Sequence, residues 1–183
     1  MKLLKVSFLA ALGLRRWSWL LLFIITMIAI PTANAQVSRV IVSVDGMACP
    51  FCAFGVEKRL KKVDGAGSVN VDMKTGTATL SAAEGKTINV DQVPDAIKTA
   101  GFTPGKIRIA ATGTIRTDDS DEFLLQVDGS KQTILFVNLK DDMKKRLMTF
   151  SKTGRQVKGA GIFHHHKDEM LAITPESIEG ISK

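Results

Sequence analysis

The only two cysteines of this 183-residue chain, Cys49 and Cys52, stand with two residues between them in the stretch DGMACPFCAFGVEKRL, residues 45–60. Thiols at this spacing have two productive chemistries. As thiolates they can grip one soft ion; as a dithiol they can cycle with a disulfide. Sulfur ligands select Cu(I), Zn(II) and, by the same logic, Hg(II) or Cd(II). Two ligands from one chain suit the near-linear coordination of monovalent copper or divalent mercury, whereas zinc asks for four in a tetrahedron. A disulfide with a purely structural role would constrain very little chain here.

A second cluster holds all three histidines: FHHHKDEM, residues 163–170. On a strand, His164 and His166 share one face and His165 takes the other. Imidazoles suit Cu(II), Zn(II) or Ni(II), and the thioether of Met170 across the turn would add a softer ligand. The plainer reading is a polar strand end, with Lys167-Asp168 as the turn. Met143, Met148 and Met170 otherwise read as core filler or surface. Asp118-Asp119-Ser120-Asp121-Glu122 reads as a solvated loop. The sequence offers no phosphate loop, no Ser-His-Asp set and no pair of carboxylates in a cleft, so an enzyme is not expected.

The first 35 residues are expected to be a leader and not part of the fold. Lys2, Lys5, Arg15 and Arg16 precede an apolar run from Leu20 to Ile30, followed by PTANAQ with small residues at 33 and 35. The run is about 11 residues, a signal-peptide length, where a spanning helix needs roughly 20. Cleavage after Ala35 would place the remaining chain in the periplasm or otherwise outside the cytoplasm, where exposed thiols tend to oxidise. From Gln36 on there are 21 Lys and Arg against 18 Asp and Glu, scattered along the sequence. That is no nucleic-acid footprint.

The elements that must position Cys49 and Cys52 follow from pattern. SRVIVSVDG alternates Val40, Val42 and Val44, the period of a half-buried strand. Pro50 suits the first turn of a helix that follows, on which Phe51, Phe54, Val56, Leu60 and Val63 are read as one apolar face, with Gly65 as the stop. GSVNVDMKTGTATLSA reads as a hairpin turning at Lys74-Thr75-Gly76. VDQVPDAIKTAG reads as a second helix, with Asp91 as cap, Val93, Ile97 and Ala100 at helical spacing, and Gly101 as stop. Phe102 to Ile109 closes as a strand. This order predicts an α+β class, with a ferredoxin-like βαββαβ unit over 36–109. Beyond Ala110-Ala111, the expected boundary, short apolar segments alternate with turn signals, Asp128-Gly129 the strongest. LKDDMKKRL is read as at most one helical turn. Residues 110–183 are therefore expected to form a small, mostly β domain of oligonucleotide/oligosaccharide-binding (OB) barrel type.

Gly46-Met47-Ala48-Cys49-Pro50-Phe51-Cys52 after a valine-alternating strand resembles the motif of heavy-metal-associated domains. That family includes copper chaperones, the N-terminal domains of metal-pumping ATPases and the periplasmic mercury-binding protein. The resemblance extends through VEKRLKKVDGAGSVNVDMKTGTATL and VPDAIKTAGF, about 70 residues. It implies that Cys49 and Cys52 bind the metal, that Met47 packs inward to hold the loop, and that Phe102 shields the site. The departures are a longer turn at Gly65-Ala66-Gly67-Ser68 and Pro50-Phe51 between the cysteines, a proline more usual in redox motifs.

These readings converge on an exported, monomeric carrier of Cu(I) or Hg(II), zinc fitting less well. Its partner would be a membrane metal transporter or another metal carrier, approached through a basic helix face at Lys58, Arg59, Lys61 and Lys62. Contact with the membrane would come only through an uncleaved leader. The competing reading is a periplasmic thiol-disulfide oxidoreductase.

Overall fold

In the computed structural model, residues 37–118, 120–127, 132–165 and 171–181 are described; the expected leader lies outside them. The first half follows the predicted order: β1 (Val37–Asp45), α1 (Pro50–Leu60), β2 (Ala66–Asp72), β3 (Thr77–Ala82), α2 (Gln92–Thr99) and then β4 (Thr103–Thr117). The strands pair antiparallel in the order β2-β3-β1-β4. Alternation puts Val40, Val42 and Val44 of β1 on the buried face, where Val56 and Leu60 of α1 and Val93 and Ile97 of α2 cover them. Both helices thus lie over one side of an antiparallel sheet, the ferredoxin-like arrangement. A reciprocal pair fastens the turn after α1 to the start of α2: the Asp64 amide donates to Gln92 Oε1 at 2.9 Å, and Gln92 Nε2 donates to Asp64 Oδ2 at 2.8 Å. Asp91 occupies the N-cap position of α2, but its side chain makes no capping hydrogen bond.

β4 is 15 residues long and runs without a break through Ala110-Ala111. One of its edges pairs with β1 as far as Ala111 and then with β5 (Phe123–Gln126) from Thr114. Its other edge pairs with β7 (Gln156–His165) over Arg108–Thr114. β6 (Thr133–Phe136) and β8 (Leu171–Gly180) complete a circuit β4-β5-β6-β8-β7 that returns to β4, a five-stranded barrel with β6 and β8 parallel. Buried Ile107, Ile109, Ala111 and Ile115 keep one alternation throughout β4. The same strand face therefore serves both the helix-covered core and the barrel interior, and the buried side chains from Val37 to Ile178 form one continuous cluster. Contacts group Asn34–Lys183 as one unit.

The turn expected at Asp128-Gly129 lies outside the described residues, but its flanking strands pair antiparallel, Gln126 opposite Thr133. The β7–β8 ladder shifts register between Ala160 and Gly161, with Glu176 of β8 as the extra residue, and a β-carbon on Gly161 would stand 2.3 Å from the Thr174 carbonyl oxygen. Pro175 sits opposite this irregularity, where a strand tolerates a missing donor.

One expectation is corrected outright. In place of a single turn at LKDDMKKRL, α3 spans Asp141–Thr153 and takes in the TF that β-propensity favours for a strand. Met143, Leu147 and Phe150 recur at the helical period and pack inward, Leu147 fully buried. Asp141 and Asp142 occupy the first turn, where the helix dipole favours negative charge, and Gly154 caps the end at φ +59°.

Candidate functional site

β1 ends at Asp45 and the chain turns on Gly46, whose φ of +83° would strain any L side chain. Met47 then drops into the core, 7% exposed, and fastens the loop from below. Cys49 is the N-cap of α1 in extended conformation (φ −137°, ψ 152°), and its Sγ accepts the Cys52 amide at 3.1 Å. A sulfur here does the work usually given to a serine or aspartate oxygen, satisfying one of the free N–H groups of the first turn. Pro50, at the first helical position, has no N–H to satisfy. The Ala53 amide donates to the Cys49 carbonyl at 3.1 Å and starts the helical ladder.

The two cysteine Cα atoms are 5.1 Å apart and the sulfurs are joined as a disulfide. Cys52 leans against the core and Cys49 is half-buried. Reduced, the two sulfurs would sit at a helix N-terminus whose first turn carries no acidic residue, an environment that favours thiolate over thiol. Sulfurs close enough to bridge can also close on one soft ion. Among the described residues, no group of three or more His, Cys, Asp or Glu gathers around a common point. The arrangement is thus a two-sulfur site.

Two other corners frame the loop. The Asp45–Thr103 pairing sets the Gly101-Phe102 corner beside it, with Phe102 half-buried against the core. On the other side, the Val44 amide donates to the Gly76 carbonyl at 2.8 Å, bringing the β2–β3 turn alongside. The carboxyl of Asp72, at the end of β2 beside that turn, is held below the usual aspartate range, chiefly because it accepts the Lys74 amide.

Phe51 and Phe54 overturn the expected helix face. They are 87% and 64% exposed, while Val56, Leu60 and Val63 are buried. At 100° per residue, Phe51 and Phe54 stand about 140° and 160° around the helix from Val56, so they cannot share its face. An exposed aromatic pair therefore flanks Cys52, Lys58 and Arg59 lie exposed further along α1, and Lys62 lies exposed in the turn after it. Lys61 is tied to Glu57 at 2.6 Å.

The histidine cluster divides. His164 is exposed at the end of β7, with Nε2 2.9 Å from Thr174 Oγ1. His166 and Met170, the expected companions, lie outside the described residues.

Residues 41–103 match the heavy-metal-associated domain. Over 65 residues the chain is 34% identical to the copper chaperone CopZ of Staphylococcus aureus (strain NCTC 8325 / PS 47), covering 36% of this chain and 94% of that protein. Among solved structures, a CopZ metallochaperone is 32% identical with a TM-score of 0.34, covering 37% of this chain and 100% of the other. Oxidized MerP from Ralstonia metallidurans CH34 is 33% identical with a TM-score of 0.33, covering 37% and 92%. The family match ends at Thr103, at the start of β4.

Proposed function

We propose that this chain, which belongs to the heavy-metal-associated domain family, is a metal carrier that holds one Cu(I) or Hg(II) between the thiolates of Cys49 and Cys52. The observation that carries this reading is the pair of sulfurs on a helix N-terminus, fixed by Met47 below and helix α1 behind. Two ligands hold a soft ion without completing its shell, so an incoming thiolate can add a third bond before one of the first two leaves. The ion passes on by ligand exchange, with no bond made or broken except to the metal. That is carriage and not enzymatic turnover. Similarity to a copper chaperone over 94% of its length supports the assignment to this class. The leader motif supports export, and a membrane metal transporter or a second carrier is the recipient that such a cargo requires.

Residues 36–109 form the ion-carrying part in this reading. The barrel over 110–183, of OB type, serves as a docking or second-site module that shares β4. The test is competitive titration of the reduced protein with Cu(I), Hg(II) and Zn(II). One Cu(I) or Hg(II) per chain, bound far more tightly than zinc, is the expected result; failure to bind either ion overturns the assignment.

The Cys49–Cys52 disulfide around Pro50 favours one second reading, a thiol-disulfide oxidoreductase. Catalytic reduction of insulin without tight metal binding would select it.

Phe51 and Phe54 belong to the delivery step. Two exposed aromatic rings beside the sulfurs suit an apolar recess on the recipient, with Lys58, Arg59 and Lys62 setting the approach. Phe51→Ser with Phe54→Ser is expected to slow transfer to an acceptor by at least about tenfold, the effect of losing one aromatic anchor. Ion affinity in a competition titration should be unchanged.

A further inference from the structure

Seven Lys and Arg but only two Asp fall within residues 140–158, a net charge of +5, while the rest of the chain from Gln36 on is net −2. The positive charge that looks scattered along the sequence is thus gathered on α3 and the residues that flank it. The buried side of α3 is fixed by Leu147, with Met143 and Phe150 packing beside it. Its outer crest presents Lys144, Lys145 and Lys152, all exposed and none in an ion pair among the described residues. Met148, 51% exposed, stands among them. Arg146 is not part of this crest, because its Nη2 donates to the Ile178 carbonyl at 2.6 Å.

We propose that the α3 crest is a binding surface for an anionic lipid bilayer. Lysines that outnumber the single carboxylate on their helix face, Asp141, and make no ion pair with it, with an apolar side chain between them, are what a negatively charged membrane surface attracts. Lysine side chains are flexible point charges that follow mobile headgroups without needing a fixed partner geometry. Nucleic acid fits less well, since the one aromatic ring of α3, Phe150, packs inward and none stands on the crest to stack on a base. The patch also lies far from the sulfur pair. α3 leads into Gln156 opposite Thr114, while the metal loop adjoins Thr103, roughly 36 Å up the same strand. The protein can therefore rest on a membrane surface and leave Cys49 and Cys52 open to a recipient. This surface does not depend on the identity of the ion, or on any ion being carried.

Residues Asn34–Lys183 form a unit of their own, so the chain from Gln36 on can be used, which removes the apolar run at 20–30 as a rival source of lipid affinity. Co-sedimentation with phosphatidylglycerol-containing vesicles is expected to show binding, and pure phosphatidylcholine vesicles none. At about 1 M salt, where the Debye length is about 3 Å, the protein should be released. Lys144→Ala with Lys145→Ala and Lys152→Ala should weaken vesicle binding about a hundredfold, at roughly fivefold for each lysine withdrawn from the surface. Met148→Ser should weaken it less, and Lys58→Ala with Lys62→Ala, on α1 and in the turn after it, not at all. An unchanged circular dichroism spectrum shows that each variant is folded. No binding of the folded chain to anionic vesicles overturns the proposal, as does a triple variant that binds as well as the parent. A preference for duplex DNA over those vesicles at equal ionic strength would overturn it too.

Discussion

Cys49→Ser and Cys52→Ser are each expected to lower the affinity for Cu(I) or Hg(II) at least about a thousandfold, taking the stoichiometry of a competition titration from one ion to none. With both thiolates on one rigid corner, the second Cu–S or Hg–S bond forms intramolecularly, and such linkage contributes factors of about 10² to 10⁴. Serine offers a hard, protonated oxygen in place of a soft anion, so no ligand of the right kind takes the vacated position. The surroundings supply no rescue, because no third ligand group gathers there among the described residues. The two variants should differ in a second respect. Cys49 is the helix cap, and its sulfur accepts the Cys52 amide. Serine at 49 keeps an oxygen able to accept that bond, so Cys49→Ser should melt within a few degrees of the parent under reducing conditions. Cys49→Ala removes the cap and should cost about 1 kcal/mol besides the ion. A variant lacking either thiol that still binds one ion tightly would show that the site lies elsewhere.

The first half of this fold was legible because each local signal agreed with its neighbours. Valines at 40, 42 and 44, Pro50 at a helix start, Gly65, Gly76 and Gly101 at positive φ, and Ile97 one turn after Val93 all point to the same βαββαβ order. Where the reading failed, composition had stood in for geometry. Phe51 and Phe54 are apolar and near Val56 in sequence, but burial depends on the angle around the helix, and that angle turns them to solvent. In α3, the β-favouring Thr149 and Phe150 hid a helical spacing set by Met143, Leu147 and Phe150. The barrel strands themselves were visible, yet closure was not. It depends on which edges of β4 pair with β1, β5 and β7, and pairing partners leave no local trace in a sequence. Ala110-Ala111 shows this best: small residues look like a joint, but Ala111 continues the buried alternation of Ile107 and Ile109. The basic crest of α3 was missed for a related reason, since Lys144, Lys145 and Lys152, one and seven residues apart, come to one face only once the helix is known.

The shared strand gives the second large effect. Gly113→Val is expected to destabilise the barrel by about 3 kcal/mol or more while leaving ion uptake at one per chain. Gly113 is buried where β4 leaves β1 and takes up β5. A β-carbon there would stand 2.3 Å from the Gln126 carbonyl oxygen and 3.2 Å from Leu125 Cδ1. An ordinary carbon-to-oxygen approach is about 3.3 Å or more, so β4 and β5 would have to part by roughly 1 Å. They have little room to do so, because Gly113 is paired with Val157 on its other edge. Overpacking of a core typically costs about 1–3 kcal/mol, and a clash with backbone held on both sides belongs at or beyond the upper end. Against a total stability of about 5–15 kcal/mol, that is enough to bring barrel unfolding well below the parent's midpoint. The ion site is insulated by distance along the strand: Thr103 to Ile109 keep their own ladder to β1, and the metal loop adjoins the Thr103 end. Both tryptophans precede Gln36 and the chain has no tyrosine, so the experiment reads unfolding by circular dichroism and amide NMR, with ion titration alongside. A barrel that unfolds first, with uptake intact, is the expected result. If uptake and barrel are lost together at one midpoint, the halves that meet on β4 fold as a single cooperative unit.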